Sequence, residues 1–397
     1  MQRATSEVVT HCKNIVERLY AAPAVLVWRK AWQGEARMKL VERLVAGPVD
    51  VIGDVHGELG GLQDLLAQLG YDEAGHHPAG RHLVFVGDLV DRGPDSVGVL
   101  LLVMMLLKSG KAQAVLGNHE LNLLRDDEKP DNLWFTAPDK LSKHPATVVS
   151  ETDRAAVLAF LNTLPLVLRR DDLRIVHACW SNEALIALEE RNAHCNADVA
   201  DIYNEYEAGV IDELNEVGLM ERCRAEEATY AERIIDPDWT PEFLSAKAEV
   251  DVRGQMGNPV SVLTSGEERI TAKPFWAGGK WRMVDRVKWW ENYTDATPVI
   301  FGHYWRRFGE AANAIPGFGP DLFAGIQPHH WMGPRNNVFC VDFSVGARPA
   351  LRHSGGDESA GRLAAVRVPE YEVVHDDGER AQLLPPGDRS SSASRFH

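Results

Sequence analysis

Gly53-Asp54-Val55-His56-Gly57, Gly87-Asp88-Leu89-Val90-Asp91-Arg92-Gly93 and Gly117-Asn118-His119-Glu120 decide how this chain is read. Each stretch is glycine-led and follows an apolar run, Val49–Ile52, His82–Val86 and Ala112–Leu116 in turn. Leu59–Leu69 between the first two carries leucines at helical spacing, and Asp95 is placed to cap an apolar helix reaching Leu107. The order is βαβαβ. Continuous apolar strands of this kind are covered on both faces, and ligands in such sheets bind past the carboxyl ends of the strands. All three motifs fall there.

Downstream, Leu173–Val176 reads as a strand ending at His177, and Pro298–Phe301 as another ending at Gly302-His303. A single Asp after a strand is usually a turn residue or a helix cap. Here five strand ends deliver Asp54 with His56, Asp88, Asn118, His177 and His303. Six nitrogen and oxygen donors of these types suit two divalent ions, with one Asp shared between them.

The rest of the chain sets bounds. It has 397 residues, 45% hydrophobic and 25% charged, which is ordinary for a globular protein that buries a core. A formal net charge of -16 argues against a surface that wraps nucleic acid. It leaves phosphorylated substrates open, because bound cations invert the field of an acidic pocket. Five scattered cysteines without a Cys-x-x-Cys pair fit a reducing compartment. The N-terminus lacks a signal-peptide core, and the longest apolar run, Val97–Leu107, is too short to span a bilayer. A cytoplasmic protein with no membrane partner is the expectation.

Residues 1–48 read as a helical covering segment, from Val8, Ile15, Leu19, Met38, Leu40 and Leu44. The chemistry-bearing core is expected over 49–178 and 296–372. Residues 179–295, rich in Glu, Asn, Arg and Trp, read as an inserted cap that selects substrate, and 373–397 as a disordered polar tail. His76-His77, His194 and His329-His330 read as exposed loop histidines.

The joint motifs resemble the calcineurin-like metallophosphoesterases. The Asp91-Arg92-Gly93 ending is similar to the phosphoprotein-phosphatase branch, which also includes bacterial symmetric diadenosine tetraphosphatases. The resemblance spans about 49–178 and 296–370. It implies an α/β (α+β) fold, a β-sandwich flanked by helices with the site at one edge. It further implies metal ligation by Asp54, His56 and a bridging Asp88, with Asn118, His177 and His303 completing the second site. Arg92 would clamp a phosphate through two parallel hydrogen bonds. His119 would protonate the leaving oxygen, oriented by Asp91. A second phosphate-binding arginine is expected from the insertion, with Arg253 and Arg282 as candidates.

Chemically, two cations about 3.5–4 Å apart hold and activate a bridging water, which attacks phosphorus directly. The reading is a metal-dependent phosphoesterase of phosphoprotein-phosphatase type, acting on a phosphoprotein, a nucleotide or a small phosphate ester. The alternative is a symmetric dinucleoside tetraphosphate hydrolase, and a non-catalytic scaffold ranks below both. Manganese is the first choice of metal, with iron, zinc or nickel as substitutes. Trp180, three residues after His177, is a candidate to lean over the pocket and stack a flat group, with core packing as the competing reading.

Overall fold

The structure, a computed structural model, describes residues 39–141, 148–194, 197–230, 233–307 and 321–387. The expected helices before residue 39, the His144-Pro145 loop, Cys12 and Cys195, the side chain of His194 and the last ten residues lie outside it.

Thirteen strands are described: β1 (Val41–Arg43), β2 (Val49–Ile52), β3 (His82–Phe85), β4 (Ala112–Ala114), β5 (Val167–Arg170), β6 (Leu173–Val176), β7 (Glu268–Ala277), β8 (Lys280–Arg286), β9 (Val299–Phe301), β10 (Val338–Cys340), β11 (Ala364–Val368), β12 (Glu372–His375) and β13 (Arg380–Gln382). They form a five-stranded sheet in the order β1-β5-β6-β9-β10, a six-stranded sheet in the order β13-β12-β11-β2-β3-β4, and a separate β7-β8 hairpin. β2, β3 and β4 run parallel, as a βαβαβ unit requires. The crossover helices are α1 (Leu59–Leu69) and α2 (Ser96–Lys108). Asp95 caps α2, its Oδ1 accepting from the Gly98 amide at 2.8 Å.

The period-2 alternation of side chains explains the layering. Val49, Val51, Val84 and Val366 point inward and meet Leu168, Ile175, Ile300 and Phe339 of the other sheet. Ile52, Leu83 and Phe85 point outward onto α1 and α2, while Val176, Val299 and Phe301 are covered by Trp289, Trp290 and the inserted helices. This is the β-sandwich flanked by helices. Asp50 faces the helix side, where its carboxylate accepts from Arg81 Nε at 3.0 Å and from the Tyr71 hydroxyl at 2.8 Å, which offsets burying a charge.

Two boundary expectations are corrected. Val41–Arg43 is not helical: it pairs parallel with Val167–Arg169 as an edge strand. A three-residue strand is too short for its alternation to outweigh the helix-like leucine spacing around it. Residues 373–387 are not a disordered tail. β12 and β13 extend the six-stranded sheet and Leu383 is buried. The insertion holds five helices (Asn182–His194, Val199–Glu216, Leu219–Tyr230, Ser245–Met256, Pro259–Ser265) and then the β7-β8 hairpin. No helix among the described residues is long and apolar enough to cross a membrane.

Nor is His329 a solvent-exposed loop residue. Its Nε2 lies 3.1 Å from Nε2 of the fully buried His375, against Phe343. One ring must donate and the other accept, so the bond requires a neutral ring. Burial above all, with neighbouring cationic groups adding to it, pushes His375 down to about 3 and His329 down to about 4, from an ordinary 6.5. Below pH 6.5 the unfolded chain therefore takes up protons that the folded chain refuses, so stability falls as pH falls across this window. Between pH 7 and 4.5 the buried His375 is expected to cost about 2–3 kcal/mol. Urea denaturation of wild type and His375→Phe at both pH values checks this. The variant should lose distinctly less, and parallel losses would show that the pair is not held neutral.

Candidate metal centre

The motifs place their side chains at adjoining strand ends. β2 ends before Asp54 and His56, β3 before Asp88, β4 before Asn118, β6 before His177 and β9 before His303. The first three belong to one sheet and the last two to the other, so the centre sits on the rim of the sandwich. Asp54, His56, Asp88, His177 and His303 are all buried. Gly302 passes so close that a Cβ there would lie 2.1 Å from Asp54 Oδ1.

Asp88 is at the middle. Its Oδ1 is 3.3 Å from His177 Nε2, and its Oδ2 is 3.7 Å from His56 Nε2 and 3.9 Å from His119 Nε2. His56 Nε2 is also 3.8 Å from Asp54 Oδ2, and Asn118 Oδ1 is 3.3 Å from His177 Nε2. Two groups of donor atoms, His56/Asp88/His119 and Asp88/His177/His303, each fall within 4.8 Å, with Asp88 common to both.

This arrangement fits bound cations on three counts. First, His56 Nδ1 donates to the Val90 carbonyl at 3.1 Å and His177 Nδ1 to the Val86 carbonyl at 2.7 Å. Both Nε2 lone pairs are thereby turned to the centre, the usual way a second shell fixes a ligand histidine. Second, His303 Nε2 is buried and has no hydrogen-bond partner. Third, Asp54, Asp88, Glu120 and Asp342 are buried together. Burial and then Asp342 hold Asp54 well above the usual carboxylate range, and burial followed by Asp88 pushes Glu120 up to about 7. Burial depresses His177, but Asp88 more than offsets it and raises the ring to about 9. Buried carboxylates crowded at one point, with Asp54 and Glu120 held above their ordinary range, can exchange protons for metal ions.

Beside the donors lie Arg92, His119 and Asp91. Half-buried Arg92 donates from Nη1 to His56 Nε2 at 2.8 Å and from Nη2 to His119 Nε2 at 3.0 Å, and its guanidinium lies 4.6 Å from the Trp305 ring centroid. His119 Nδ1 donates to Asp91 Oδ2 at 2.6 Å, and Asp91 Oδ1 accepts from Trp134 Nε1 at 2.7 Å. His56, Asp88, Asp91, Arg92 and His303 all have positive φ, between 46° and 72°. Non-glycine residues held there cost on the order of 1–3 kcal/mol each and persist where surrounding structure dictates them.

Part of that surrounding structure is not evident from the sequence motifs. Glu120 accepts from the amides of Asp88, Leu89 and Gly117 at 2.8–3.0 Å, tying the second motif to the third. Its position three residues after Gly117 is the one signal for this, a capping-box spacing. Asp342 accepts from the amides of Trp305 at 2.7 Å and Ser344 at 2.8 Å and so holds the His303 turn. At Gly346 a Cβ would lie 2.6 Å from the His56 ring and 2.9 Å from Arg92 Nη1. No sequence signal marks Trp134 or Gly346.

Trp180 needs correction. It is 5% exposed, its Nε1 donates to Asn182 at 2.9 Å and Arg174 covers its face, so it packs in the core and offers no face to a ligand. The aromatic beside the centre is Trp305. Of the candidate arginines, Arg253 is exposed on its helix and paired with Glu249. Arg282 lines a cavity of about 310 Å³ that begins at Arg92, as does Arg286, whose Nη1 donates to the His303 carbonyl at 3.2 Å.

Buried Asp and His donors sharing one central carboxylate, with Asn118 beside them, an arginine and a carboxylate-oriented histidine, define a metal-dependent phosphoesterase site. Comparisons agree. Residues 47–197 match the calcineurin-like phosphoesterase family. A symmetrical bis(5'-nucleosyl)-tetraphosphatase of Ralstonia nicotianae is 31% identical over 214 residues, 51% of this chain and 69% of that protein. The asymmetrical bis(5'-nucleosyl)-tetraphosphatase PrpE of Oceanobacillus iheyensis is 48% identical over 80 residues, 19% of this chain and 32% of its own length. A cold-active protein-tyrosine phosphatase structure from Shewanella aligns over 89% of this chain and 85% of its own at 16% identity, with a TM-score of 0.48. The chain belongs to the calcineurin-like phosphoesterases, which are metal-dependent hydrolases.

Proposed function

We propose that this protein hydrolyses phosphate esters with two divalent cations held by Asp54, His56, Asp88, Asn118, His177 and His303, Asp88 serving both. The observation that carries this is the convergence of two donor groups on one buried Asp88 beside Arg92 and His119. When bound, the cations supply Lewis acidity and activate water for direct attack. The chain's own groups do the rest. Arg92 offers its fork of N–H donors to the non-bridging oxygens, and Arg286, anchored on the His303 carbonyl, adds a second cation at the same centre. His119, its Nδ1 fixed by Asp91, would give a proton from Nε2 to the leaving oxygen once Arg92 turns from that nitrogen to the phosphate. A non-catalytic scaffold is disfavoured, because every one of these groups is assembled.

Manganese is the first choice among Mn, Fe, Zn and Ni, since mixed His, Asp and Asn donors accept all four. The free cysteines Cys179, Cys223 and Cys340 suit a reducing cytoplasm. The leading substrate reading is a phosphoprotein-phosphatase-like activity. A dinucleoside tetraphosphate is the second reading, favoured by the named relatives and by the arginine-lined cavity running from Arg92. Assaying Mn2+-loaded protein in parallel on an aryl phosphate, a phosphopeptide panel and diadenosine tetraphosphate separates them. Turnover of none would overturn the phosphoesterase assignment.

A further inference from the structure

Trp305 stands two residues after His303 and lines the cavity that begins at Arg92. Its backbone is fixed from both sides. The Trp305 amide donates to Asp342 Oδ2 at 2.7 Å, and the Arg306 amide to the Asp342 carbonyl at 2.8 Å. The Arg306 side chain is fully buried, with Nη2 donating to the carbonyls of Gln327 at 2.7 Å and His330 at 2.9 Å. Trp305 itself has a φ of 54°, a left-handed conformation that a non-glycine residue keeps only where its surroundings dictate it. The ring packs against Ala347, Leu351 and Ala360 and carries the Arg92 guanidinium 4.6 Å from its centroid.

Two other arginines that lie over aromatic rings are also held by an anion. Arg154 over Phe135 has Asp126 at 2.6 Å, and Arg174 over Trp180 has Asp295 at 2.6 Å. Arg92 has no carboxylate that close among the described residues. Asp131, half exposed, is 3.4 Å from its Nε, and exposed pairs of that kind hold little. The difference decides what the N–H groups can do. A carboxylate accepts guanidinium donors and fixes the fork, whereas an aromatic face attracts the cation as a whole. The Nη donors of Arg92 are not spent on the ring, since Nη1 points to His56 and Nη2 to His119. The guanidinium can therefore turn on the ring towards a phosphate without a close ion pair being broken first.

We propose that Trp305 is a positioning residue for this reaction: its ring, in place of an anion, keeps Arg92 at the metal centre with N–H donors available to the phosphoryl oxygens. This rests on the phosphoesterase reading of the same site.

The test is a double-mutant cycle on the full Mn2+-loaded chain, with p-nitrophenyl phosphate as substrate. Trp305→Leu keeps an apolar side chain against Ala347, Leu351 and Ala360 and removes the aromatic face, while Trp305→Phe keeps both. Trp305→Leu should retain its metals and lose roughly fivefold to thirtyfold in kcat/KM, the range of a partly desolvated cation–π contact. Trp305→Phe should recover most of that loss. In an Arg92→Ala background the leucine substitution should cost less than about twofold, because the residue through which Trp305 acts is gone. An equal loss in both backgrounds, a phenylalanine variant no better than the leucine one, or loss of metal from Trp305→Leu would overturn the proposal and leave the phosphoesterase reading standing. Wild type that turns over no phosphoester would bring down both.

Discussion

Asp88→Asn is expected to lose bound metal and more than about a hundredfold in turnover, because even an outer-shell partner of a metal ligand costs roughly 10–100-fold. Asp88 is the residue both donor groups share, within 3.3–3.9 Å of three histidine Nε2 atoms. The amide keeps the shape, and its carbonyl can still accept from the His119 backbone amide as Asp88 Oδ1 does at 3.1 Å. It removes the negative charge that draws in cations. In the metal-free protein Asp88 repels buried Asp54 and Glu120, but despite burial it is itself held well below the usual carboxylate range by His177, His119 and His56, so the metal-free variant should be no more stable than metal-free wild type. Wild type should then gain on metal addition, about 2.7 kcal/mol at a hundred times the Kd, and the variant should not. Elemental analysis, thermal melts with and without Mn2+ and an aryl phosphate assay check all three. A variant that retained two metals and normal turnover would refute the bridging role.

His119→Asn is expected to keep its metals and lose about 10²–10⁴-fold in turnover for alkyl phosphates, the usual contribution of a positioned general acid. The loss should be much smaller for p-nitrophenyl phosphate, whose leaving group needs little protonation. The geometry behind this is the short chain from Trp134 Nε1 through the Asp91 carboxylate to His119 Nδ1. Burial pushes His119 down and Arg92 adds to that, but Asp88 and Asp91 outweigh them and hold the ring above its ordinary value. The structure also offers a competing role, because His119 forms one donor group with His56 and Asp88. Metal content distinguishes the two. Loss of a metal together with equal losses for good and poor leaving groups would make His119 a ligand and remove the acid.

Both expectations draw on residues that the amino-acid sequence alone makes legible. Asp54, His56, Asp88, Asn118, His177 and His303 each end a short apolar strand next to a glycine or within three residues of one, His177 excepted. The signal is local, and five such ends in one chain outweigh coincidence. The parallel βαβαβ unit is legible for the same reason, since hydrophobic periodicity and the Asp95 cap are properties of contiguous residues. Short edge elements are not. Val41–Arg43 pairs with a strand more than a hundred residues away, and Arg380–Gln382, though paired locally with Glu372–Val374, is a three-residue strand of polar composition. Polar tail composition in turn conceals that Leu383 is buried in the sandwich.

By itself, then, the sequence determined the candidate donor residues, the layer type and the class of chemistry. Only the tertiary structure decided which side chains surround those donors. Trp180 follows a ligand in sequence yet is sealed in the core, and Trp305 takes the place beside Arg92 instead. Arg253 and Arg282 are equivalent candidates in sequence, and the hairpin puts Arg282 on the cavity wall while a helix carries Arg253 to the surface. The physical reason is reach. A metal ligand is set by the strand that carries it, whereas a cleft is made where separate elements meet, and which face each presents depends on packing with distant partners.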